Sequence, residues 1–219
     1  FSTMLFVQPK YLQRSERNSY RDFNRYHMGG NAVYHASGRY GDNAKGTFSL
    51  GSDVAYQDGT ILFYNLSATQ GRGTTLTDNK REGANNFGVF ANEDLSLGEH
   101  WVLGLGARYD AITYTYSSNI TPASNTTKGF TGVTPKIGVT YRASPVHSWY
   151  ASLGGGIEVP AGNETDPEAG TPNAVFAISP LLEPIRSTTL ELGTRRELAG
   201  SADSFIRSAD DLGSIDMLT

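Results

Sequence analysis

Hydrophobic and polar residues alternate along the chain, and the clearest example runs from Trp101 to Tyr116. Every second position from Trp101 is apolar or small, whereas the positions between carry residues such as Gly104, Arg108 and Asp110. Successive side chains of a β-strand point to opposite faces, so a strand separates these two sets and a helix does not. The pattern therefore predicts a strand with one apolar and one polar face.

The same alternation recurs along most of the chain. It is found in residues 3–7, 28–36, 48–56, 87–91, 131–141, 149–159 and 188–198. Turn-forming residues separate these segments, and the first segment is expected to end near Pro9. The sequence therefore predicts an all-β fold of about eight antiparallel strands.

The connections between the predicted strands alternate in length. The longer ones are Lys10–Tyr26, Asp58–Asn85, Ser117–Lys128 and Ala161–Arg186, and the short ones are Gly38–Lys45, Gly98–His100 and Ala143–His147. Loops beyond about fifteen residues are uncommon in compact domains. Long extracellular loops and short periplasmic turns are typical of outer-membrane barrels. We therefore predict a transmembrane β-barrel segment in the bacterial outer membrane.

Composition narrows the function classes. Hydrophobic residues make up 38 % of the chain, and glycine is frequent with 25 residues, which suits a barrel wall with one apolar face better than a large soluble core. The net charge of −4 argues against a nucleic-acid partner. The chain has no cysteine and no apolar run long enough for a transmembrane helix. A soluble barrel would also alternate, but its wet face should be richer in lysine and glutamate.

Two sets of residues are expected to mark the faces of the barrel wall. Aromatic residues near strand ends are expected to form the membrane girdles, and these are Tyr56, Trp101, Tyr109, Tyr141 and Trp149. Charged residues on the opposite positions are expected to face the lumen, where they could bind a plug or line a polar path. These are Arg108, Asp110, Lys136, Arg142 and Glu158.

Two of the predicted extracellular loops are candidates for ligand binding. The first interleaves cations with aromatic rings, and its candidates are Arg14, Arg17, Tyr20, Arg21, Arg25 and Tyr26, with Phe23 between them. The second is basic and rich in glycine and threonine, with Arg72, Lys80 and Arg81 as candidates. Guanidinium groups and aromatic faces suit an anionic, aromatic ligand or lipopolysaccharide phosphates. The alternative is a solvated loop whose arginines pair with Glu16 and Asp22.

Nothing in the sequence indicates an enzyme. The four histidines, His27, His35, His100 and His147, are scattered and do not form a chelating set. The glycines around Gly104 and Gly154 lie inside alternating strands rather than in phosphate-binding loops. Glu164, Asp166 and Glu168 are expected to be solvated rather than to bind a cation. We predict no catalytic residue, no metal site and no cofactor.

Three segments, in order, resemble TonB-dependent outer-membrane receptors. Residues 85–110 (NNFGVFANEDLSLGEHWVLGLGARYD) resemble a pair of strands in that family that ends in G-x-R-Y-D. Residues 130–156 (FTGVTPKIGVTYRASPVHSWYASLGGG) resemble its T-P-K-x-G strand and the strand that follows. Residues 178–198 (ISPLLEPIRSTTLELGTRREL) are similar to its L-x-P-E-x-S segment.

The resemblance implies an energised importer of scarce ligands, most often ferric siderophores. Such receptors have about twenty-two strands around an N-terminal plug, and the plug contacts TonB; neither the plug nor its TonB-contacting segment is recognised here. We expect residues 1–198 to be a sector of the wall, and residues 199–219 to be an irregular tail from a truncated or frameshifted sequence. The alternatives are a complete small eight-stranded outer-membrane barrel with a structural or adhesion role, and a soluble ligand-binding β-barrel.

Overall fold

A computed structural model describes residues 1–16, 18–160 and 177–197, which form one antiparallel sheet. The eight strands are β1 Ser2–Glu16, β2 Ser19–Arg39, β3 Ala44–Leu66, β4 Arg72–Leu97, β5 Trp101–Ser118, β6 Thr126–Ser144, β7 His147–Glu158 and β8 Ile185–Arg196. A short 3-10 turn, Pro122–Ser124, lies between β5 and β6. Each strand pairs with the next in sequence, so the sheet is a meander from β1 to β8. The predicted all-β fold is confirmed.

The sheet is not closed in the described part of the chain, because β1 and β8 are its two edges and do not pair. No helix among the described residues is long and apolar enough to cross a membrane. The short turns after β4 and β6 lie where they were predicted, at Gly98–His100 and between Ser144 and His147. Gly98 has φ 61°, a left-handed conformation that glycine adopts without strain.

Two of the predicted long loops are wrong, because strands occupy most of their length. Within Lys10–Tyr26, β1 continues through Pro9 to Glu16 and β2 begins at Ser19. Within Asp58–Asn85, β3 continues to Leu66 and β4 begins at Arg72. These extensions carry hydrophobic and polar residues on both faces, as in Ile61-Leu62-Phe63, so they lack the alternation that marks a strand in sequence. Pro9 lies opposite Tyr26 in the β1–β2 pairing and has no N–H group to donate.

The strand register separates a polar face from an apolar face. The polar face carries Arg108, which lies opposite Phe90 on β4 and Thr134 on β6, and the apolar face carries Trp101. Hydrophobic residues of the apolar face are exposed, with Leu5 at 85 %, Leu192 at 72 % and Val54 at 53 %. The buried hydrophobic residues among those described are Ile61, Phe130 and Ile178. Ile61 and Phe130 lie on the polar face by register, and Ile178 lines a cleft there beside Lys80.

A proline limits one of the inner ladders. The β6–β7 pairing extends from the turn at Ser144 and His147 back to Lys136, and it ends there, next to Pro135. Proline has no N–H group to donate to a neighbouring strand. The T-P-K segment of β6 therefore marks the point at which this ladder ends.

Candidate ligand site on the polar face

The far ends of β1 to β4 carry a chain of alternating charges and rings on the polar face, which we call the cation ladder. Its first part is an acid held between two arginines: Glu16 Oε2 lies 2.6 Å from Arg14 Nη2 and 3.1 Å from Arg21 Nη1. Arg14 and Arg21 are direct partners across the β1–β2 register, so the hairpin brings these like charges together. Glu16 at the end of β1 reduces their repulsion.

A second acid of the cation ladder repeats this arrangement. Glu82 Oε1 lies 2.9 Å from Lys80 Nζ, and Glu82 Oε2 lies 3.1 Å from Arg25 Nη2. Phe63 joins the two parts, since its ring centre is 5.0 Å from the Arg21 guanidinium carbon and 5.3 Å from Lys80 Nζ. The ladder thus holds four cations and two acids, and it keeps an excess of positive charge.

Aromatic rings cover the cations of the ladder from further sides. The Arg14 guanidinium carbon lies 5.6 Å from the centre of Phe23, and Lys80 Nζ lies 5.4 Å from the centre of Tyr116. Such cation–π contacts contribute about 0.5–1 kcal/mol each at exposed sites. They hold the cations in place while leaving their N–H groups available to an anion.

Two N–H donors of the ladder are buried without a partner among the described residues. They are the Nε atoms of Arg21 and Arg25. A buried donor left unpaired costs about 1–3 kcal/mol, and more when the group is charged. Both atoms are closed to solvent, so a ligand would reach them only if the two side chains turned.

A cleft of about 430 Å³ lies at the Arg25 end of the ladder. Arg25, Lys80 and Glu82 form its charged wall, and Tyr114 and Tyr116 form its aromatic wall. The segment before β8 closes one side, where Ile178 is 5 % exposed. That segment is held by hydrogen bonds from Lys128 Nζ to the carbonyl of Pro180, at 2.6 Å, and from the Ala177 N–H to the carbonyl of Ser124, at 3.2 Å.

A separate ion cluster lies on the same face nearer the short turns. Arg108 bridges two acids, with Nη1 at 2.8 Å from Asp53 Oδ2 and Nε at 2.8 Å from Asp110 Oδ1. Gly88 lies directly beneath the guanidinium, where a Cβ atom would collide with Arg108. The cluster has two acids for one cation, so its charge is opposite in sign to that of the ladder.

The structure divides the predicted ligand-binding residues between the two faces. Arg14, Arg21, Arg25 and Lys80 lie together in the ladder. Tyr20, Tyr26 and Arg81 lie on the apolar-face positions of their strands. Arg72 also points away from the ladder, because it stacks on Tyr64 at 3.9 Å and approaches Asp22 at 4.0 Å. Arg17, the Glu164–Glu168 segment and the tail beyond Glu197 lie outside the described residues.

Sequence analysis missed several residues of the site. Phe63, Glu82, Tyr114 and Tyr116 were not singled out, although they line the ladder or its cleft. Phe63 and Glu82 lie in the predicted loop Asp58–Asn85, where no strand alternation is expected. Tyr114 and Tyr116 follow the alternation of β5 beyond Asp110, and that alternation could have placed them on the polar face.

The residues predicted to face the lumen share the polar face with the ladder. Arg108 and Asp110 form the ion cluster, Lys136 lies opposite Gly106 and Gly154, and Arg142 lies opposite Ser148. Glu158 lies at the end of β7, opposite Ile185. Among the described residues there is no group of three histidine, aspartate or glutamate side chains that could hold a metal ion.

The aromatic residues predicted as girdles lie on the apolar face in two lines. Trp101, Tyr141 and Trp149 are direct neighbours across β5, β6 and β7, near the short turns. Their rings pack, with 4.8 Å between the centres of Trp101 and Tyr141. The second line crosses the middle of the sheet and consists of Tyr11, Tyr26, Tyr56, Phe87 and Tyr109, all exposed.

This second line, which we call the upper belt, is displaced by two residues at every strand. Tyr26 lies two residues from the partner of Tyr11, and Tyr56 lies two residues from the partner of Tyr26. The same step leads to Phe87 and then to Tyr109, always toward the short turns. Strands of a barrel tilt against its axis, so a level belt must step through the register in this way.

Comparisons with known proteins identify the family of this β-sheet. A family model described as "TonB dependent receptor-like, beta-barrel" matches residues 4–212. No curated protein matches the chain. The solved structures of similar fold include the ferric citrate transporter FecA in its unliganded form, at 18 % identity and a TM-score of 0.64. That match covers 87 % of this chain and 28 % of FecA.

Two further structures share the fold. The siderophore receptor PiuA from Acinetobacter baumannii has 15 % identity and a TM-score of 0.60, over 82 % of this chain and 30 % of PiuA. The ferric yersiniabactin uptake receptor FyuA from Yersinia pestis has 15 % identity and a TM-score of 0.59, over 88 % of this chain and 30 % of FyuA. The chain therefore spans less than a third of these receptors. Proteins of this family are outer-membrane receptors and transporters, not enzymes, and the chain belongs to the TonB-dependent receptor family through its β-barrel.

Proposed function

We propose that the protein imports a ferric siderophore or a similar scarce ligand across the outer membrane, with energy supplied through TonB. The cation ladder is the observation that carries this proposal, because it gathers four cations and several aromatic rings on one face. A polyanionic chelate with aromatic groups matches that chemistry. The plug that contacts TonB is expected outside the strands of this sheet, and residues 1–198 are the wall.

In this proposal the apolar and polar faces of the sheet lie in different environments. The apolar face contacts membrane lipid, since its hydrophobic residues are exposed in a sheet that has no other cover among the described residues. The polar face lines the lumen, with Arg108, Asp110, Lys136, Arg142 and Glu158 pointing inward. The line of Trp101, Tyr141 and Trp149 marks the periplasmic membrane interface, and the upper belt with Tyr56 and Tyr109 marks the extracellular one.

The height of the ladder fits an extracellular ligand. Phe63, Lys80 and Tyr116 each lie seven residues beyond the upper-belt residue of their own strand, which are Tyr56, Phe87 and Tyr109. At about 3.3 Å per residue this places them about 23 Å along the strand beyond the belt. Lipopolysaccharide would surround this part of the wall on the outer side, while the ladder lines the entrance to the lumen.

The alternatives from sequence are less well supported. A complete eight-stranded barrel requires β1 to pair with β8, which the described strands do not do. The family match covers residues 4–212 and favours the receptor.

Removal of one ladder charge tests the proposed ligand site. In the protein held in outer membranes, Lys80→Gln should weaken binding of a ferric tris-catecholate about tenfold or more, because a hydrogen bond to a charged group contributes about 1.5–3 kcal/mol. The matched control is Arg186→Gln, which removes a cation from the apolar face of β8 and should leave binding unchanged. Equal binding by both variants would show that the ladder does not contact the ligand.

A further inference from the structure

One acid lies on the apolar face between the two aromatic lines. Among the described residues of β1 to β5, Glu93 is the only charged residue at an apolar-face position between the upper belt and the short turns. Its direct partners are Phe48 on β3 and Leu105 on β5. Leu105 lies four residues from Trp101 and four from Tyr109, which mark the two aromatic lines on β5. An ionisable side chain at this depth is costly and therefore indicates a functional contact.

The Glu93 carboxylate turns toward the short turns and lies over Gly46. Gly46 is the direct partner of Leu95, which is two residues nearer the β4–β5 turn than Glu93. A Cβ atom added to Gly46 would collide with Glu93 Oε1 and with the Tyr40 ring. Tyr40 belongs to the β2–β3 turn, where its N–H donates to the carbonyl of Ala44 at 2.8 Å. The acid therefore reaches from the apolar region of the wall toward the membrane interface on the side of the short turns.

The Glu93 carboxylate has no counter-charge on the strands beside it. Its direct partners Phe48 and Leu105 are both apolar, and its Oε1 atom is closed to solvent without a hydrogen-bond partner among the described residues. The Oε2 atom is not closed in this way, so the carboxylate can be reached from the lipid side. A carboxylate in apolar surroundings costs free energy unless a cation pairs with it. The cation that pairs with Glu93 must therefore come from outside the described strands.

The surroundings of the carboxylate fit a phospholipid. Leu50, Leu97 and Leu105 are exposed on the same face, where they can contact acyl chains. Tyr40 is exposed beside the carboxylate, and an aromatic ring next to an acid is a favourable place for an ammonium group. The periplasmic leaflet of an outer membrane consists of phospholipids, and the ammonium group of an ethanolamine headgroup carries three N–H donors. Its charge and its donors both match the site.

We infer that Glu93 and the Tyr40 ring bind the ammonium headgroup of a phosphatidylethanolamine molecule in the periplasmic leaflet, with its acyl chains along the leucines of the apolar face. This inference rests on the proposed function for one point only, which is that the short turns of the wall face the periplasm. Binding of this lipid then depends on its headgroup and not only on its acyl chains. The cation ladder takes no part in it, because the ladder lies on the opposite face.

The test compares phosphatidylethanolamine with phosphatidylglycerol, which has no ammonium group, at identical acyl chains. Each lipid is titrated into the protein as it is encoded in its genome, purified in detergent and freed of lipid, and bound lipid is measured by native mass spectrometry. The native protein should bind phosphatidylethanolamine more tightly by about fivefold or more, the effect of one hydrogen bond to a charged group. Glu93→Gln keeps the size of the side chain but removes its charge and should abolish the preference. Tyr40→Leu should reduce it about twofold.

The matched control is Asp94→Asn, which removes the neighbouring acid at the same height on the polar face and should keep the full preference. Equal affinity of the native protein for both lipids would overturn the inference, and so would an unchanged preference in Glu93→Gln. A native dimer that Glu93→Gln converts into a monomer would also overturn it, because the acid would then pair with a second copy of the chain. Lipid binding in detergent requires neither a ferric chelate nor TonB, so a failure of the transport proposal would leave this result readable on its own.

Discussion

Phe63 is the residue on which the cation ladder depends most. It lies between Arg21 and Lys80, which belong to two acid-centred groups on different strands. A ring face attracts a cation with little loss of its hydrogen-bonding capacity, unlike a carboxylate, which occupies the N–H groups. Phe63 therefore holds the two cations near each other while leaving them able to bind an anion.

Replacement of the ring at position 63 tests this role. Phe63→Leu keeps an apolar side chain but removes two cation–π contacts, about 1–2 kcal/mol in total. The affinity for a ferric tris-catecholate should fall by up to about fivefold to thirtyfold, measured by equilibrium binding. Phe63→Tyr keeps a ring and should retain most of the affinity. A loss in Phe63→Tyr as large as in Phe63→Leu would contradict a role for the ring face.

Part of the ladder was predictable residue by residue from the sequence. The cations Arg14, Arg21, Arg25 and Lys80 stand out by type, and their binding role stays a prediction. Tyr20, Tyr26 and Arg81 lie on the opposite face. To predict this, one must know that the strands continue through the two hairpins, so that odd and even positions can be assigned to faces. The contact of Arg25 with Glu82 joins residues far apart in sequence and depends on the register of β2, β3 and β4 together. A single sequence does not specify that register over polar strands.

At the level of elements, the strands of the wall extend well beyond the membrane band. A spanning strand needs about 9–11 residues, whereas β3 has 23 residues and β4 has 26. The alternation detected only the part in contact with lipid, since there one face must be apolar. Outside the membrane both faces meet water, so hydrogen bonding continues while the hydrophobic pattern ends. The order of the strands was therefore predictable from the alternation, whereas their length was not.

Hydrogen exchange distinguishes strand from loop in the β3–β4 extension. Amides of Asp58–Phe63 and Asn79–Asn85 should exchange slowly, because they belong to paired strands. The amides of Ala68 and Thr69, at the tip of the turn between β3 and β4, should exchange fast and serve as the internal reference. Uniformly fast exchange from Asp58 to Asn85 would restore the interpretation of this stretch as a loop.

At the scale of the whole molecule, the described residues form one sheet of eight strands with an apolar face and a polar face. Few hydrophobic side chains are buried among the described residues, and the large apolar face has no protein cover. Lipid on that face supplies the burial that a soluble protein obtains from its core. The overall fold was predictable because the lipid boundary imposes alternation on every strand. The cation ladder was less predictable, because it lies beyond the upper belt, where lipid no longer imposes an apolar face.

Two adjacent positions on β6 test the assignment of the faces. Ile137→Arg places a charge on the apolar face between Leu105 and Leu153. It should lower the free energy of unfolding in lipid bilayers by about 2–4 kcal/mol. Gly138→Arg places the same charge at the same depth on the polar face, where a Cβ atom would meet nothing closer than 3.8 Å. It should change stability little, and a larger loss in Gly138→Arg than in Ile137→Arg would reverse the faces.

The most direct test of the central proposal is uptake of radiolabelled iron, supplied as a ferric tris-catecholate, by cells that express the protein as it is encoded in its genome. Uptake should require TonB, and Lys80→Gln should reduce it at limiting chelate concentration while Arg186→Gln does not. Uptake at the same rate in cells that lack TonB, or equal uptake by the two variants, would contradict an energised receptor that binds its ligand through the cation ladder.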